Sequence, residues 1–296
     1  MWIIITLGAA TFQILRTSRQ HELRSVLSTT AAGFVRYAYG APLAVLLSIG
    51  LFVVLDRDVP QVVGNFWTPI MIGAVSQILG TVALLQAFKV RDFAVGTVYS
   101  KSEVLIVAAL GALGIEPALR AMGWVGAVIV TIGVAWLASR GSLTSLLRKA
   151  GDRAALLGLL AGAGFAGAAL GIRSASVALG GAPEFDRAVL TLTALLLVQT
   201  ALNLTWFAFV RPGDIVATAR AWRPALPVGV LSLLGSIGWA WAFTLESAAK
   251  VRTLGQVELI IAFAIGRITL GERHSRADYL ASGLVLVGVS IVTIWG

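Results

Sequence analysis

The chain has 296 residues, of which 58% are hydrophobic and only 12% are charged, about half the charged fraction of a typical soluble protein. Its mean hydropathy of +0.89 is typical of a polytopic membrane protein. Cysteine is absent, which excludes disulfides, iron–sulfur clusters and thiol chemistry. Most basic residues behind the net charge of +9 lie between apolar runs, so lipid headgroups explain them better than a nucleic acid partner does.

Ten apolar segments follow one another along the chain. They lack the alternating pattern of barrel strands and are long enough to cross a bilayer as helices. We take MWIIITLGAA as the first of them, because no basic region precedes it and no cleavage site marks a signal peptide. The sequence thus predicts an all-α membrane protein with ten transmembrane helices, at residues 2–16, 30–55, 66–88, 94–114, 118–138, 154–173, 187–210, 225–246, 250–270 and 277–295.

The longest hydrophilic link, SRGSLTSLLRKAGDR at residues 139–153, lies near the midpoint and could form a short surface helix. It separates residues 1–138 from residues 154–296, with five predicted helices in each half. Because five is an odd number, the two halves must insert in opposite orientations. Inverted repeats of this kind place a binding site near the bilayer midplane, between the repeats.

The two halves resemble each other under a shift of about 155 residues. This shift carries Glu103 onto Glu258 and Gly133 onto Gly288. The fifth and tenth segments also share a spacing of small residues that favours close helix packing, at Gly126, Gly133, Ser282 and Gly283. Two complete halves in one chain predict a monomer, with a homodimer as the alternative.

Two of the apolar segments carry charges in their middle. The fourth reads AVGTVYSKSEVLIV and contains Lys101 and Glu103. The ninth reads AKVRTLGQVELIIA and contains Arg252 and Glu258. An ionised group at the bilayer centre costs about 3 kcal/mol on insertion scales, so such groups usually face a cavity or a partner. We therefore expect the fourth and ninth helices to line a transport site.

Helical spacing assigns these side chains to faces, because residues three or four apart share one side of a helix. Lys101 shares the face of Thr97, and Gln256 shares the face of Arg252. No cofactor and no metal ligand set are predicted, since both histidines lie in predicted loops. The candidate substrate-binding residues are Arg36, Thr97, Tyr99, Lys101, Trp239 and Gln256, and the candidate coupling residues are Glu103 and Glu258.

A charge count suggests what the site would hold. Arg36, inside FVRYAYGAP of the second span, is a further intramembrane charge. Its charge and those of Lys101, Glu103 and Glu258 sum to zero, which predicts a neutral or zwitterionic occupant. Arg252 is left out of this sum, because it is near a predicted helix start and is expected to snorkel to the interface.

Each candidate has a functional and a structural interpretation. A carboxyl group in a low-dielectric cavity can exchange protons near neutral pH, which would couple transport to protons. Arg36 or Lys101 would hold a substrate carboxylate, and Trp239 would contact an apolar side chain. In the structural alternative, Glu103 pairs with Lys101 or Arg36 only to make the helices insertable. Glu116, after the fourth span, is expected to be a solvated cap.

The pattern resembles the EamA-type members of the drug/metabolite transporter superfamily. The resemblance is carried by the fourth span with its following GALGIEP, and by VRTLGQVELIIAFAIGRITLGERHSRADYLASGLVLVGVSIV with its Gly271-Glu272-Arg273 run. It implies a ten-helix inverted-repeat carrier of small metabolites such as amino acids, in a bacterial inner membrane. Relatives often have proline after the glutamates, where this chain has Val104 and Leu259. Loop charges predict external termini, whereas the resemblance implies cytoplasmic ones.

Other classes of function fit less well. The chain has no Walker sequence, no HExxH and no Gly-x-Ser-x-Gly elbow, and its loop carboxylates are scattered, so an intramembrane enzyme is disfavoured. A flippase for a lipid-linked group, or an accessory subunit that transports nothing, remains the alternative to a solute carrier. Lipid bound to the purified protein would favour the flippase.

Overall fold

The computed structural model describes residues 1–90, 93–138, 148, 151–262, 264 and 275–296. Within these ranges the chain is helical apart from its links and one two-residue strand pair, β1 (Gln61–Val62) with β2 (Leu179–Gly180). Among the described residues, six helices are long and apolar enough to cross a membrane: Thr29–Val54, Trp67–Phe88, Arg153–Val177, Glu184–Val210, Trp222–Leu245 and Arg276–Trp295. The prediction of an all-α membrane protein is therefore confirmed.

The helices of the first half are α1 (Trp2–Glu22), α2 (Thr29–Ala38), α3 (Gly40–Ile49), α4 (Trp67–Val90), α5 (Phe93–Ser100), α6 (Glu103–Ala112) and α7 (Ala121–Ala138). The helices of the second half are α8 (Arg153–Val177), α9 (Glu184–Val210), α10 (Pro212–Arg220), α11 (Trp222–Leu245), α12 (Ala248–Gly255), a stretch at 258–262, and α13 (Arg276–Trp295). Most of the link at 139–153, with its predicted surface helix, lies outside the described residues, as do Gly271-Glu272-Arg273.

Local sequence explains where several helices begin. Ser28 caps α2, because its hydroxyl accepts the N–H of Ala31 at 3.1 Å. Pro42 has no N–H to offer the Ala38 carbonyl, which accounts for the division between α2 and α3. At α13, a capping box joins Ser275 to Asp278 in both directions.

The described chain divides into two compact units. The first unit comprises Met1–Ala74 and Gly171–Leu245, and the second comprises Val75–Leu170 and Glu246–Gly296. Helices α4 and α8 each contribute to both units. Each unit therefore contains parts of both predicted repeats.

The core of the first unit forms where α2 packs against α11. Its buried members are Leu23, Leu27, Ala31, Ala32, Val35, Ala225 and Val228. Polar contacts link the ends of the helices: Arg57 pairs with the buried carboxylate of Asp186 at 2.7 Å. Asp214 on α10 accepts hydroxyl hydrogen bonds from Ser28 and Thr30. The buried Asp186 and the half-buried Asp214 therefore both have partners.

Helices α7 and α13 pack closely through glycines in the second unit. A Cβ added at Gly126 would lie 2.7 Å from the Gly288 carbonyl oxygen, and a Cβ at Gly288 would lie 2.7 Å from the Gly126 carbonyl oxygen. A Cβ added at Gly133 would lie 3.0 Å from the Val285 backbone nitrogen. These contacts agree with the predicted small-residue packing. Gly283 departs from this packing, since a Cβ added there would meet no atom of a neighbouring helix within 4 Å.

Gly126→Ala is expected to destabilise the protein by about 1–3 kcal/mol, because the new methyl group would overlap a backbone oxygen that has little room to move. Thermal unfolding of the purified protein in detergent measures the loss. Gly283→Ala is the matched control, since it lies in α13 facing open space and should be neutral or slightly stabilising. Equal melting temperatures for the two variants would contradict the close packing of α7 on α13.

Candidate functional site

The first charged segment is a broken helix. Helix α5 ends at Ser100, α6 begins at Glu103, and a tight turn at Lys101 and Ser102 separates them. Two hydrogen bonds of the 3₁₀ type, each to the residue three positions earlier, form this turn. Lys101 N–H donates to the Val98 carbonyl at 3.1 Å, and Ser102 N–H donates to the Tyr99 carbonyl at 3.2 Å. The sequence predicted one continuous span at 94–114, and this is wrong.

The second charged segment is broken in the same way. Helix α12 ends at Gly255, and the chain becomes helical again at 258–262. Between them Gln256 N–H bonds to the Thr253 carbonyl and Val257 N–H to that of Leu254, both at 3.1 Å. The continuous helix predicted for 250–270 is therefore also wrong in its described part. Both glutamates begin the helical segment that follows a break, where free backbone N–H groups favour negative charge.

The two broken helices are joined by buried charges, which we name the charge cluster: Lys101, Glu103, Arg252, Gln256 and Glu258. The Lys101 ammonium forms an ion pair with the Glu258 carboxylate, and both side chains are at most 14% exposed. The Arg252 guanidinium lies 3.8 Å from the Glu103 carboxylate, with 11% and 5% exposure. Gln256 donates to Glu103 at 3.3 Å. Two positive and two negative charges thus compensate one another within the second unit.

Some polar atoms at this site are buried without a hydrogen-bond partner among the described residues. They are the Ser102 hydroxyl, one carboxylate oxygen of Glu103 and the side-chain oxygen of Gln256. Most buried polar atoms in proteins have a partner. The site therefore has hydrogen-bonding capacity that a proton, a water molecule or a substrate could use.

Comparison with known proteins identifies the family. Residues 152–294 match the EamA-like transporter family. The second half of the chain belongs to this transporter family. The match confirms the resemblance seen in the sequence, and it includes α12 with the charges that follow it.

Two further comparisons concern the whole chain. No curated protein matches its sequence. A crystal structure of a protein superposes on it with a TM-score of 0.71, at 13% identity, covering 99% of this chain and 97% of that one. A likeness at this identity indicates a shared fold and says nothing about substrate.

The structure brings together four of the eight predicted site residues: Lys101, Glu103, Gln256 and Glu258. Tyr99 lies in the same unit, where it packs with Val98 against Ala154 and Ala155 of α8. Thr97 precedes the first break, and its carbonyl accepts hydrogen bonds from Ser100 Oγ and Lys101 N–H.

Arg36 and Trp239 belong to the first unit. The Arg36 guanidinium lies over the Tyr37 ring, 5.0 Å from its centroid. The Trp239 indole donates to the Gln13 side chain at 3.1 Å and is 7% exposed. Trp239 therefore has a defined partner inside its own unit.

Two residues were misjudged from the sequence. Arg252 does not snorkel to the interface, because it is buried beside Glu103. The sequence contained one indication of this position, because Arg252 shares a helix face with Gln256. Glu116 is not a solvated cap, because it is 8% exposed and its carboxylate accepts the N–H of Ala248 at the start of α12. Glu116 thereby ties the segment after α6 to the helix that carries Arg252.

Proposed function

We propose that the chain is a secondary carrier of small organic metabolites, such as amino acids, that works by alternating access. The observation that carries this proposal is the charge cluster, which holds two broken helices together inside one unit of a transporter-family protein. Broken helices at membrane depth are typical of ion and substrate sites in secondary transporters. A bacterial inner membrane and a monomer, with a homodimer as the alternative, complete the proposal.

The proposed architecture is ten transmembrane helices arranged as two inverted repeats. The repeats are residues 1–138 and 154–296, joined by the link at 139–153. Both breaks support this arrangement, because the shift of about 155 residues carries the first break, at 101–102, onto the second, at 256–257.

Side-chain contacts in the charge cluster give further support. The shift carries Lys101 onto Gln256 and Glu103 onto Glu258. The image of the Lys101–Glu258 contact is therefore a contact between Gln256 and Glu103, and those two side chains are hydrogen-bonded. A two-fold relation between repeats produces such exchanged pairs.

The glycine contacts follow the same relation. The shift carries Gly133 onto Gly288 and Gly126 onto Ala281. The image of the Gly126–Gly288 contact is thus a contact between Gly133 and Ala281, where a Cβ on Gly133 would lie 3.1 Å from the Ala281 carbonyl oxygen. Backbone packing and buried charges support the same arrangement independently.

The coupling role is assigned to Glu103 and Glu258. Each contacts a cation on the other broken helix. Protonation of either carboxylate would remove most of the attraction within its pair, and so loosen one helix from the other. Release of this kind is the local change that proton-coupled rearrangement needs.

The proposed substrate-binding residues include members of each unit. Lys101, Gln256 and Thr97 surround the first break, where buried oxygen atoms have spare hydrogen-bonding capacity. Tyr99 is kept as a candidate on the same segment, although its ring packs on α8. Arg36 and Trp239 are the candidates from the first unit.

Uptake into proteoliposomes tests the carrier. Radiolabelled amino acids and related metabolites are offered with and without a pH gradient. We expect the gradient to drive accumulation in the wild type, and Glu103→Gln or Glu258→Gln to lower it about tenfold or more, since each removes a carboxylate that the proposal assigns to coupling. Glu22→Gln is the control, because Glu22 is a 60%-exposed glutamate in a surface pair.

The outcomes separate the classes of function. Accumulation that survives both substitutions would contradict the coupling role but not the carrier. If no solute moves, the solute carrier is contradicted. Co-purified lipid together with lipid transfer between leaflets would then establish a flippase, and the absence of both would favour an accessory subunit.

A further inference from the structure

The short helix α10 connects two membrane-spanning helices at one end of the first unit. It follows α9, which ends at Val210, and precedes α11, which begins at Trp222. Both neighbours are long and apolar enough to cross a membrane, whereas α10 has only nine residues. A short helix between the ends of two spans lies at the boundary between membrane and water. Its exposed side chains therefore lie at the depth of the lipid headgroups.

Hydrogen bonds hold α10 against α2 and the residue that follows α2. Asp214 accepts the hydroxyl hydrogens of Ser28 and Thr30, at 2.8 and 3.2 Å. The Tyr39 hydroxyl donates to the Thr218 carbonyl at 2.9 Å. These contacts fix the side of α10 that faces the protein, so its other side is presented to the surroundings.

Exposed arginines flank α10. Arg211 precedes the helix, Arg220 ends it and Arg223 follows it, and all three side chains are exposed. The segment 206–226 contains these three arginines and one aspartate, which gives a net charge of +2. No described carboxylate forms an ion pair with any of the three arginines. Their positive charge is therefore available to an anion outside the protein.

The opposite end of the first unit has a different charge pattern. There the strand pair β1–β2 joins the link before α4 to the link before α9. Each arginine described near that end has a partner in the protein: Arg57 with Asp186 at 2.7 Å, Arg187 with Glu184 at 3.9 Å, and Arg173 with the Phe243 carbonyl at 2.7 Å. The unpaired, exposed arginines are thus a feature of the α10 end.

Aromatic side chains border these arginines. Trp206 and Phe209, near the end of α9, are exposed, and Phe209 is 85% exposed. Trp222, at the start of α11, is also exposed, and the Arg223 guanidinium lies 5.4 Å from its ring centroid. Aromatic rings at the ends of spans are typical of the membrane interface. Arginines beside exposed rings match a molecule that has an anionic head and apolar chains.

We propose that this end of the first unit binds the headgroups of anionic phospholipids. The binding residues, which we name the α10 surface, are Arg211, Arg220, Arg223, Trp206, Phe209 and Trp222. The guanidinium groups contact phosphate oxygens, with which arginine forms paired hydrogen bonds, and the rings contact the upper part of the acyl chains. A zwitterionic headgroup carries its own cation, so the net charge of +2 favours an anionic one. The site goes beyond the proposed carrier function and does not depend on it.

Lipid titration of the purified protein in detergent tests the α10 surface. Dioleoylphosphatidylglycerol is anionic, whereas dioleoylphosphatidylcholine has the same acyl chains and no net charge. The apparent affinity for each lipid is measured from the rise in melting temperature. We expect the wild type to bind phosphatidylglycerol more tightly, and to lose most of that preference at about 1 M salt, where charges are screened within about 3 Å.

Paired substitutions locate the binding groups. Arg220→Gln together with Arg223→Gln is expected to weaken phosphatidylglycerol binding about twentyfold, since each basic residue at a membrane surface contributes about a fivefold factor. Lysine at both positions keeps the charge and should keep most of the binding. Without lipid, both double variants should melt near the wild-type temperature, because exposed substitutions usually cost little.

The matched control is Arg120→Gln together with Arg276→Gln. It removes the same charge from two exposed arginines of the second unit, one just before α7 and the other at the start of α13. These helices pack antiparallel, since Gly126 meets Gly288 and Gly133 meets Val285. The two control arginines therefore lie at opposite ends of their unit, and we expect their loss to leave lipid binding nearly unchanged.

Each outcome supports or overturns the site. Phosphatidylglycerol binding that survives the Arg220 and Arg223 substitutions, or that falls equally in the control, overturns it. Equal stabilisation by inorganic phosphate would show binding of a free anion and not of lipid. A double variant that converts a dimer to a monomer, with lipid binding unchanged, would make this surface an interface between two copies of the chain. Solute uptake is measured separately, so the carrier and this site can fail independently.

Discussion

Lys101→Met alone is expected to destabilise the protein by about 3–5 kcal/mol, because it leaves the Glu258 carboxylate buried without its cation. Glu258→Met should cost a similar amount by stranding the ammonium group. The double substitution of Lys101 and Glu258 by methionine removes both charges, and replacing a buried pair by apolar groups is often neutral or stabilising. We therefore expect the double variant to melt near the wild-type temperature. Thermal unfolding in detergent measures all three.

The double variant also separates coupling from packing. If the pair serves only to make the helices insertable, the stable double variant should transport like the wild type. If Glu258 couples transport, the double variant should be stable and inactive. Methionine at both Arg19 and Glu22 is the matched control, since that pair is about 60% exposed and should change stability little. A Lys101→Met protein as stable as the wild type would contradict the buried pair.

The sequence was sufficient to find the members of the charge cluster, because an ion in an apolar run is a strong local signal. It could not assign their partners. Lys101 lies in the turn and Glu103 begins α6, and each finds its counter-charge on the other broken helix and not on its own. Partner choice depends on how α5 and α6 pack against α12, and that packing is not a local property.

The helix breaks could not be predicted for a related reason. Neither break contains proline, and the first contains no glycine. Gly255 precedes the second break, but an isolated glycine is tolerated within a helix and does not by itself predict a break. In the structure, the Ser100 hydroxyl bonds to the Thr97 carbonyl and the Thr253 hydroxyl to the Ala249 carbonyl. Such side-chain bonds compete with regular helix geometry and favour bends, but they do not fix a break by themselves.

The position of Arg252 shows how a break misleads sequence interpretation. A basic residue near a helix start normally marks the membrane interface. Helix α12, however, begins in the interior, since Ala248, Ala249 and Val251 are all fully buried. Spacing had the same limit at α13, where it marked Gly283 for packing although that glycine faces open space.

Arg252→Gln is expected to cost about 3 kcal/mol, at the lower end for a broken buried pair because the charged atoms are 3.8 Å apart. The loss arises because Glu103 keeps only the neutral hydrogen bond from Gln256. Adding Glu103→Gln to Arg252→Gln removes the stranded charge, so the double variant should regain most of the lost stability. Thermal unfolding and a double-mutant cycle measure this coupling.

Lys250→Gln is the matched control for Arg252→Gln, because Lys250 is a half-buried cation on the same short helix and forms no ion pair with a described carboxylate. A buried Arg252 and an interfacial Arg252 predict different losses of stability for Arg252→Gln. An interfacial arginine would cost within about 0.5 kcal/mol, as surface substitutions usually do. A loss of that size, or no recovery on adding Glu103→Gln, would return Arg252 to the interface and the charge sum to zero. The expected loss with recovery places a second cation, beside Lys101, within the charge cluster.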